Sequence, residues 1–483
     1  MPRCQAVGLV RIGHTAVSAS RWDDLRDVRA LTAFLLAAAI AAALLWLGPP
    51  GSDTAAHVYQ AWLFRHHGFM LWDNYWYSGR YTFATYSWLY YPLAVVVGIK
   101  LLAALSAGAA AAGFARVVRY PPAVFAFALV WGAFVLSGAY PFMLGVAFAL
   151  LALGTRRLFP VFAALTWAAS PLALLLLVVV VAGLRRWRAI ALLVPLVVLQ
   201  AVLTLVYRSP GHFPFSWQEA AAAALFCVGA IALTAGRPIR GVFVAWLVLI
   251  ALAFVFPSTL GENAARLRFL ALPLALLVLR GRPLLVAAPL AVLAAVYNVS
   301  PLAWSFAKGL DERAEHRSYW APAIAFLHAH NSPDFRVDAL DTVDHWEAVY
   351  LPEAGIPITR GWFRQDDFPE NRVLYHPLDQ RTYVRWLHER GVRYVLVPRD
   401  RLDYSSNREP VLAAKLHFVT WAGKVAIYEL PRATPIAPGA RVVRMAHDAV
   451  TLVVPHAGRY RLSIRRHTSF TALTAGIVTL RFP

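Results

Sequence analysis

Residues 30–47 read ALTAFLLAAAIAAALLWL, and after Gly48-Pro49-Pro50, residues 51–60 read GSDTAAHVYQ. The first stretch is apolar and uncharged, near the length of about 17–25 residues that a helix needs to cross a bilayer. A cleaved signal peptide would have a shorter apolar core, about 7–15 residues, and a small-residue cleavage site. The run therefore reads as an uncleaved first transmembrane helix. Arg3, Arg11, Arg21, Arg26 and Arg29 precede it, which makes 1–29 a cytoplasmic tail. Further apolar runs lie at roughly 91–115, 120–137, 140–154, 158–184, 188–207, 218–235, 241–257, 267–280 and 283–299. The fold class that follows is a polytopic α-helical membrane bundle over 30–300.

Charge is distributed accordingly. The 483-residue chain is 59% hydrophobic and only 15% charged, against about a quarter charged in soluble domains. Residues 1–300 carry 22 of the 46 Lys+Arg but only 7 of the 26 Asp+Glu. A net charge of +20 could suggest nucleic acid. The excess sits in short loops between apolar runs, as the positive-inside rule requires, so no nucleic-acid partner is expected. The richness in Ala and Arg is that of a GC-rich bacterial gene. Cys4 and Cys227 lie in the tail and inside an apolar run, and no disulfide between them is expected.

Five basic loops, Arg116/Arg119, Arg156/Arg157, Arg185/Arg186/Arg188, Arg237/Arg240 and Arg280/Arg282, can all be placed inside if 158–184 is a hairpin. Ser170-Pro171 breaks it at its middle, because proline interrupts helical hydrogen bonding. A single tilted span would invert everything after it. With the hairpin, Asp53, Asp73, Glu219 and Glu262 all fall in or beside outer loops, and residues 301–483 emerge on that same side. This C-terminal part reads as an α/β domain over 301–431. A helix over Arg381–Arg390 ends at Gly391, a C-cap signal, and leads into a strand at Arg393–Pro398. A β-rich segment over 432–483 follows. There Val450–Val454 and Arg459–Ile464 flank Pro455-His456-Ala457-Gly458 as a hairpin-like connection, and Tyr460, Leu462 and Ile464 alternate with polar residues as in a half-buried strand.

The long outer loop, 49–90, is the place to look for chemistry, since connections of that length usually have a function. Ser52 or Asp53 would cap a surface-lying helix running to about His66, and Asp53 and His57, four apart, share its face. An aromatic block follows: Trp72, Tyr75, Trp76, Tyr77, Tyr81, Phe83, Tyr86, Trp88, Tyr90 and Tyr91. Anchoring at the bilayer interface accounts for most of it. It does not account for Asp53.

One long outer loop after the first helix, with an acid near its start and a surface-lying helix, resembles the GT-C glycosyltransferases. So do Gly51-Ser52-Asp53-x-x-x-His57, Tyr90-Tyr91-Pro92, Ala169-Ser170-Pro171 and the extracytoplasmic C-terminal domain. The resemblance implies a multi-pass enzyme of the bacterial plasma membrane. It would transfer sugar from a polyprenyl-phosphate-linked donor to an envelope glycan, lipid or protein acceptor. Asp53 is the candidate general base, because an inverting transfer needs a carboxylate to accept the acceptor's hydroxyl proton. Arg266 and Arg268 are the candidate phosphate ligands, since guanidinium binds phosphate bidentately. His57, Arg80, His212 and Glu262 are further candidate substrate-binding residues, with Glu262 also a counter-ion to Arg266 four positions on. Many GT-C members carry a paired acidic motif in this loop. Here Asp53 is followed by Thr54, so no metal ligand set is assigned, and a divalent metal has no residue support. A non-catalytic scaffold or a transporter of envelope intermediates is the alternative. A transporter would show two related halves with broken helices and ionisable groups at mid-membrane, which the sequence lacks.

Overall fold

The computed structural model describes residues 13–207, 211–465 and 470–482. Residues 1–12, with Cys4, Arg3 and Arg11 of the expected tail, lie outside them. The helices of the first part are α1 (Gly13–Leu47), α2 (Thr54–His67), α3 (Tyr90–Val97), α4 (Ile99–Val117), α5 (Pro121–Ala133), α6 (Tyr140–Gly154), α7 (Phe159–Ala169), α8 (Pro171–Gly183), α9 (Trp187–Val206), α10 (Trp217–Leu233), α11 (Ile239–Val255), α12 (Ala271–Leu279) and α13 (Leu284–Gly309). Four described helices are long and apolar enough to cross a membrane: Asp27–Leu47 of α1, α4, α9 and α13. Several of the others open on proline, at Pro121, Pro141, Pro160 and Pro171, where the missing N–H would have had no helical partner.

Small residues let these helices approach closely, the usual means of packing when neither partner gains from leaving water. A Cβ at Gly132 would stand 2.8 Å from the Ala37 carbonyl oxygen, and one at Gly108 would meet the Phe34 ring at 2.8 Å. α1 therefore lies directly on α4 and α5. The outward faces are aliphatic. Val198 and Leu205 of α9 are 55% and 64% exposed, an apolar surface of the kind a soluble monomer avoids.

α7 and α8 part at Ser170, whose backbone is extended and whose hydroxyl accepts from Ala173 N. Arg186, after α8, donates to the Leu153 carbonyl just before α7, at 3.5 Å. The Ala168 carbonyl, near the break, accepts from both Trp88 N and Leu89 N at 2.9 Å. Both ends of 158–184 thus lie at one end of the bundle, and its break meets the long loop.

α13 corrects the expected domain limit at 300. Its apolar run stops near 299, but the helix continues through Pro301 to Gly309. Leu302 is buried, and Phe306 lies where a Cβ on Gly48 would touch its ring at 3.4 Å, so packing carries the helix between two and three turns further than hydropathy predicts.

The long loop contributes a two-stranded ribbon, β1 (Trp72–Asp73) with β2 (Arg80–Tyr81). Beyond α13, α14 (Arg317–His330) leads to β3 (Arg336–Ala339) and α15 (Glu347–Glu353). Next come α16 (Gln380–Arg390), β4 (Val392–Pro398), α17 (Glu409–Ala413), β5 (His417–Ala422) and β6 (Val425–Glu429). β3 runs parallel to β4, with α16 in the crossover, and the sheet order is β3-β4-β6-β5. Asp379 caps α16, and Gly391 ends it at φ 71°, a conformation that favours glycine.

The last segment holds β7 (Arg441–Met445), β8 (Ala449–Val454), β9 (Gly458–Arg461), β10 (Phe470–Leu473) and β11 (Gly476–Arg481). The expected hairpin of 450–454 with 459–464 does not form. Both edges of β8 are occupied, by β7 and β11, so β9 pairs with β10 instead. The alternation holds: Leu462 and Ile464 are fully buried, while Arg459 and Arg461 are exposed.

The aromatic block is also reassigned. Trp72, Trp76, Tyr90 and Tyr91 are no more than 1% exposed, which excludes a role as bilayer anchors. Trp72, Tyr75 and Trp76 form a tongue against the C-terminal domain, whereas Tyr90 and Tyr91 open α3 in the bundle core. Trp76 Nε1 donates to the Ala348 carbonyl (2.8 Å), the Tyr75 hydroxyl to the Met445 carbonyl (3.0 Å), and Ile358 N to the Tyr75 carbonyl (2.9 Å). Topology is open to test in a background lacking Cys4 and Cys227. Asn407→Cys, exposed in the C-terminal domain, should react with an impermeant maleimide in intact cells, and Arg156→Cys, exposed at the Leu153/Arg186 end, only after permeabilisation. The reverse pattern would invert the orientation.

Candidate functional site

Asp53 occupies the N-cap position of α2, but its side chain makes no capping hydrogen bond. The helix start is held by the backbone instead. Ser52 N and Asp53 N donate to the Leu136 and Ser137 carbonyls at 3.1 and 3.0 Å. The partner turn requires Gly138, at φ 71°, because a Cβ there would stand 2.4 Å from Asp53 N. The carboxylate is thus left free to face Arg266 at 3.8 Å.

Arg266 lies on a 3-10 helix, Gly261–Leu270, and this corrects the expected pairing with Glu262. Four-residue spacing aligns side chains on an α-helix, whereas three-residue spacing aligns them on a 3-10 helix. Asn263 is therefore the neighbour, its Oδ1 accepting from Arg266 Nε at 2.7 Å. The guanidinium stacks on Phe142, 5.3 Å from the ring centroid.

Arg80, on β2, crosses to the C-terminal domain. Its Nε donates to Asp366 Oδ2 at 2.8 Å, its guanidinium lies 4.5 Å over the Phe363 ring, and both partners of the ion pair are buried. Its Nη1 has no hydrogen-bond partner among the described residues.

These residues share one cavity of about 800 Å³. One end is polar, with Asp53, Arg80, Asn263, Arg266, Arg364 and Asp366. The rest is a largely aliphatic trough from α8 and α9, among them Leu172, Leu175, Val178, Val197 and Leu205, with Gln200 and Thr204 the polar exceptions on α9. Asp53 is about one-quarter exposed, and what it faces is this cavity. Burial raises its pKa above the usual 3.8, against the opposing charges of Arg266 and Lys308.

Four expected site residues are not on the cavity wall. His57 is fully buried behind Asp53, with Nδ1 3.1 Å from the Tyr91 hydroxyl and Tyr86, Tyr90 and Tyr140 around it. Burial, with the Arg266 charge, pushes its pKa down to about 3, so it is a neutral packing residue. His212 packs tilted against Phe368, with ring centroids 4.4 Å apart, because its turn docks against 365–368, and the adjacent Phe213 reaches the cavity instead. Arg268 pairs with Glu219 at 2.7 Å and covers Tyr297. Glu262 sits near that pair, its pKa raised by burial and by Glu219. Arg364, Asp366, Trp362 and Tyr86 also line the cavity; Tyr86 belongs to the aromatic block of the long loop, and Trp362 is one of the C-terminal tryptophans, with Trp320, Trp346 and Trp386, that could stack on a sugar or pack in the core. Arg364, Asp366 and Trp362 belong to Gly361-Trp362-Phe363-Arg364-Gln365-Asp366, whose mix of aromatic and charged residues is the one local hint, and they reach the site only through the fold. Among the described residues, no cluster of three potential metal ligands includes Asp53.

A carboxylate beside an arginine, with two further arginines in the same cavity, is suited to proton abstraction from a hydroxyl next to a phosphate leaving group. No protein-family model matches the sequence, and neither does any curated protein. Among solved structures the chain is similar to the arabinofuranosyltransferase AftD from Mycobacteria (18% identity, 85% of this chain, 40% of that chain, TM-score 0.45) and to a mutant of it (19%, 85%, 42%, 0.43). It is also similar to the Archaeoglobus fulgidus oligosaccharyltransferase in the apo form (14%, 76%, 69%, 0.36). The chain spans about two-fifths of the length of AftD.

The Arg80–Asp366 pair joins the tongue to the C-terminal domain at the cavity roof. Removing one partner of a buried ion pair typically costs about 3–5 kcal/mol, because the other charge is left uncompensated. Asp366 keeps a second cation, Arg465, at 3.8 Å, so Arg80→Met should lower the melting midpoint of the purified protein by less than that full cost, and Arg80→Met with Asp366→Leu should recover part of the loss. A single variant that melts with the wild type would show the pair to be dispensable.

Proposed function

We propose that the chain is a GT-C-type glycosyltransferase of the bacterial plasma membrane. On this reading it transfers a sugar from a polyprenyl-phosphate-linked donor to a cell-envelope acceptor on the outer face. The observation that carries the reading is the mixed cavity: two carboxylates, Asp53 and Asp366, with three arginines, and a largely aliphatic trough from α8 and α9. A lipid-linked phosphosugar has the same division, with an isoprenoid tail for the trough and a charged head for the polar end.

In this mechanism Asp53 accepts the proton of the acceptor hydroxyl as that oxygen bonds to the anomeric carbon. The bond from that carbon to the phosphate oxygen breaks, and the electron pair leaves with the lipid phosphate. Arg266, with Arg80 Nη1 and Arg364, stabilises the charge on that phosphate. Arg266 has a second effect. Its positive charge beside Asp53 favours the ionised carboxylate, offsetting part of the burial that favours the protonated form.

Asp53→Asn keeps the shape of the side chain, and no capping bond is lost with it. Folding should stay near wild type while turnover falls by about 10²–10⁴, the usual contribution of a general base. Turnover of a radiolabelled polyprenyl-phosphate sugar, or envelope complementation normalised for protein abundance, measures this. Full turnover by Asp53→Asn would end the base assignment, whereas full complementation with no turnover by wild type or variant would favour a non-catalytic scaffold. The pH profile supplies a second test. The folded pKa of Asp53 is raised, so the active carboxylate form is lost as pH falls through a value above 3.8. Arg266→Ala removes an opposing charge, and the acid limb of kcat/KM should move to higher pH, with weaker donor binding as well. An unmoved limb would separate Arg266 from the base.

A further inference from the structure

The loop after β3 reads Asp341-Thr342-Val343-Asp344-His345-Trp346-Glu347. From it Asp341, His345 and Glu347 turn their side chains to one point, all three buried, with one ligand atom of each lying within 4.8 Å of the others. His345 is held at φ 58°, a left-handed conformation uncommon outside glycine. His345 Nδ1 is 3.6 Å from Asp341 Oδ1 and 3.6 Å from Glu347 Oε1.

That spacing is too long for a hydrogen bond and suits a shared ion. A charge-assisted bond would close to about 2.7–2.9 Å. Nitrogen and oxygen ligands about 2.0–2.1 Å from one tetrahedral zinc ion stand roughly 3.4 Å apart. The remaining oxygens are already engaged. Glu347 Oε2 accepts from Thr342 N and Oγ1, and Asp341 Oδ2 is held by Arg360 and Ser405. Glu347 Oε1 and both ring nitrogens of His345 are buried without a hydrogen-bond partner among the described residues, although such groups are normally satisfied.

Arg360 is shared between Glu409 and Asp341 Oδ2, at 2.7 and 2.8 Å, and it makes no ion pair with Glu347, whose Oε1 faces only His345.

We propose that Asp341, His345 and Glu347 form a buried binding site for a divalent transition-metal ion of the zinc class. One imidazole nitrogen and two monodentate carboxylates suit zinc or manganese, whereas calcium takes 6–8 oxygen ligands. The ion's role is structural. Trp362, on the cavity wall, stacks on His345 with centroids 4.7 Å apart and planes 7° from parallel, so an ion that fixes His345 also fixes part of the cavity roof.

The competing arrangement is an imidazolium between the two carboxylates, whose charges push the His345 pKa up to about 9 despite burial. The full chain, purified in detergent without a polyhistidine tag, equilibrated with zinc or, separately, with manganese and then desalted, separates the two. About one zinc per chain should be retained by the wild type and by His417→Gln, an exposed control, and at least tenfold less by His345→Gln or Glu347→Gln. Wild type that retains neither zinc nor manganese supports the imidazolium and overturns the site. Equal retention by the variants overturns it too, since the metal would then be elsewhere. If the variants do not fold, the zinc X-ray absorption spectrum of the wild type decides: one imidazole with oxygen ligands at about 2.0–2.1 Å is expected, and sulfur or several imidazoles would refute the assignment. No readout depends on glycosyl transfer, so this inference and the proposed activity stand or fall separately.

Discussion

The burial of one acid, Asp73, organises the junction on which the cavity depends. Its carboxylate is fully buried and accepts from the Tyr59 hydroxyl at 2.9 Å and from Tyr75 N at 3.0 Å, with His447 Nδ1 at 2.9 Å. These partners belong to α2, the tongue and the C-terminal β segment, so a single charge that must be satisfied ties three regions together. Trp72, stacked on Phe482, and Trp76, bonded to Ala348, extend the same contact. Large aromatic side chains bury about 150–250 Å² each, and here they exclude water from the space between the bundle and the domain above it.

Within that dry junction, each charged group is set by its neighbours. Asp53 is kept from capping its own helix by backbone bonds to the 134–138 turn, and it turns to Arg266. Arg80 is held by Asp366, and Arg364 by Asp403 at 3.0 Å. The arginines are therefore positioned before any ligand arrives, which is the condition under which fixed charges stabilise a developing one most effectively. The aliphatic trough of α8 and α9 begins at the Ser170 break. The break both opens space beside the polar groups and presents a carbonyl, that of Ala168, to the incoming loop.

The C-terminal domain contributes side chains to the cavity as well as covering it. Residues 361–366 reach down from it because Gly361 permits Trp76 and Tyr77 to pass within 2.8 Å of where a Cβ would stand. Behind this segment, the loop after β3 brings the ligand-type triad against Trp362. The electrostatics of the domain interior and the shape of the cavity roof are thereby mechanically linked.

Helical periodicity and hydropathy were legible in the residues themselves. The apolar runs, the break at Ser170-Pro171, the cap at Gly391 and the importance of the loop around Asp53 all follow from local chemistry, because helix formation and termination depend on near neighbours. The same local rules misread three features. Trp72 and Trp76 look like interfacial anchors until a second domain covers them. Glu262 looks like the partner of Arg266 until a 3-10 helix changes the spacing that aligns side chains. Val450–Val454 looks like a hairpin partner for Arg459–Ile464 until β7 and β11 occupy both its edges. Asp53 and Arg266, more than 200 residues apart, and Arg80 with Asp366, nearly 300 apart, meet only when the bundle closes and the domain docks. No local pattern encodes those distances, since they are set by which buried surfaces fit one another across the whole chain.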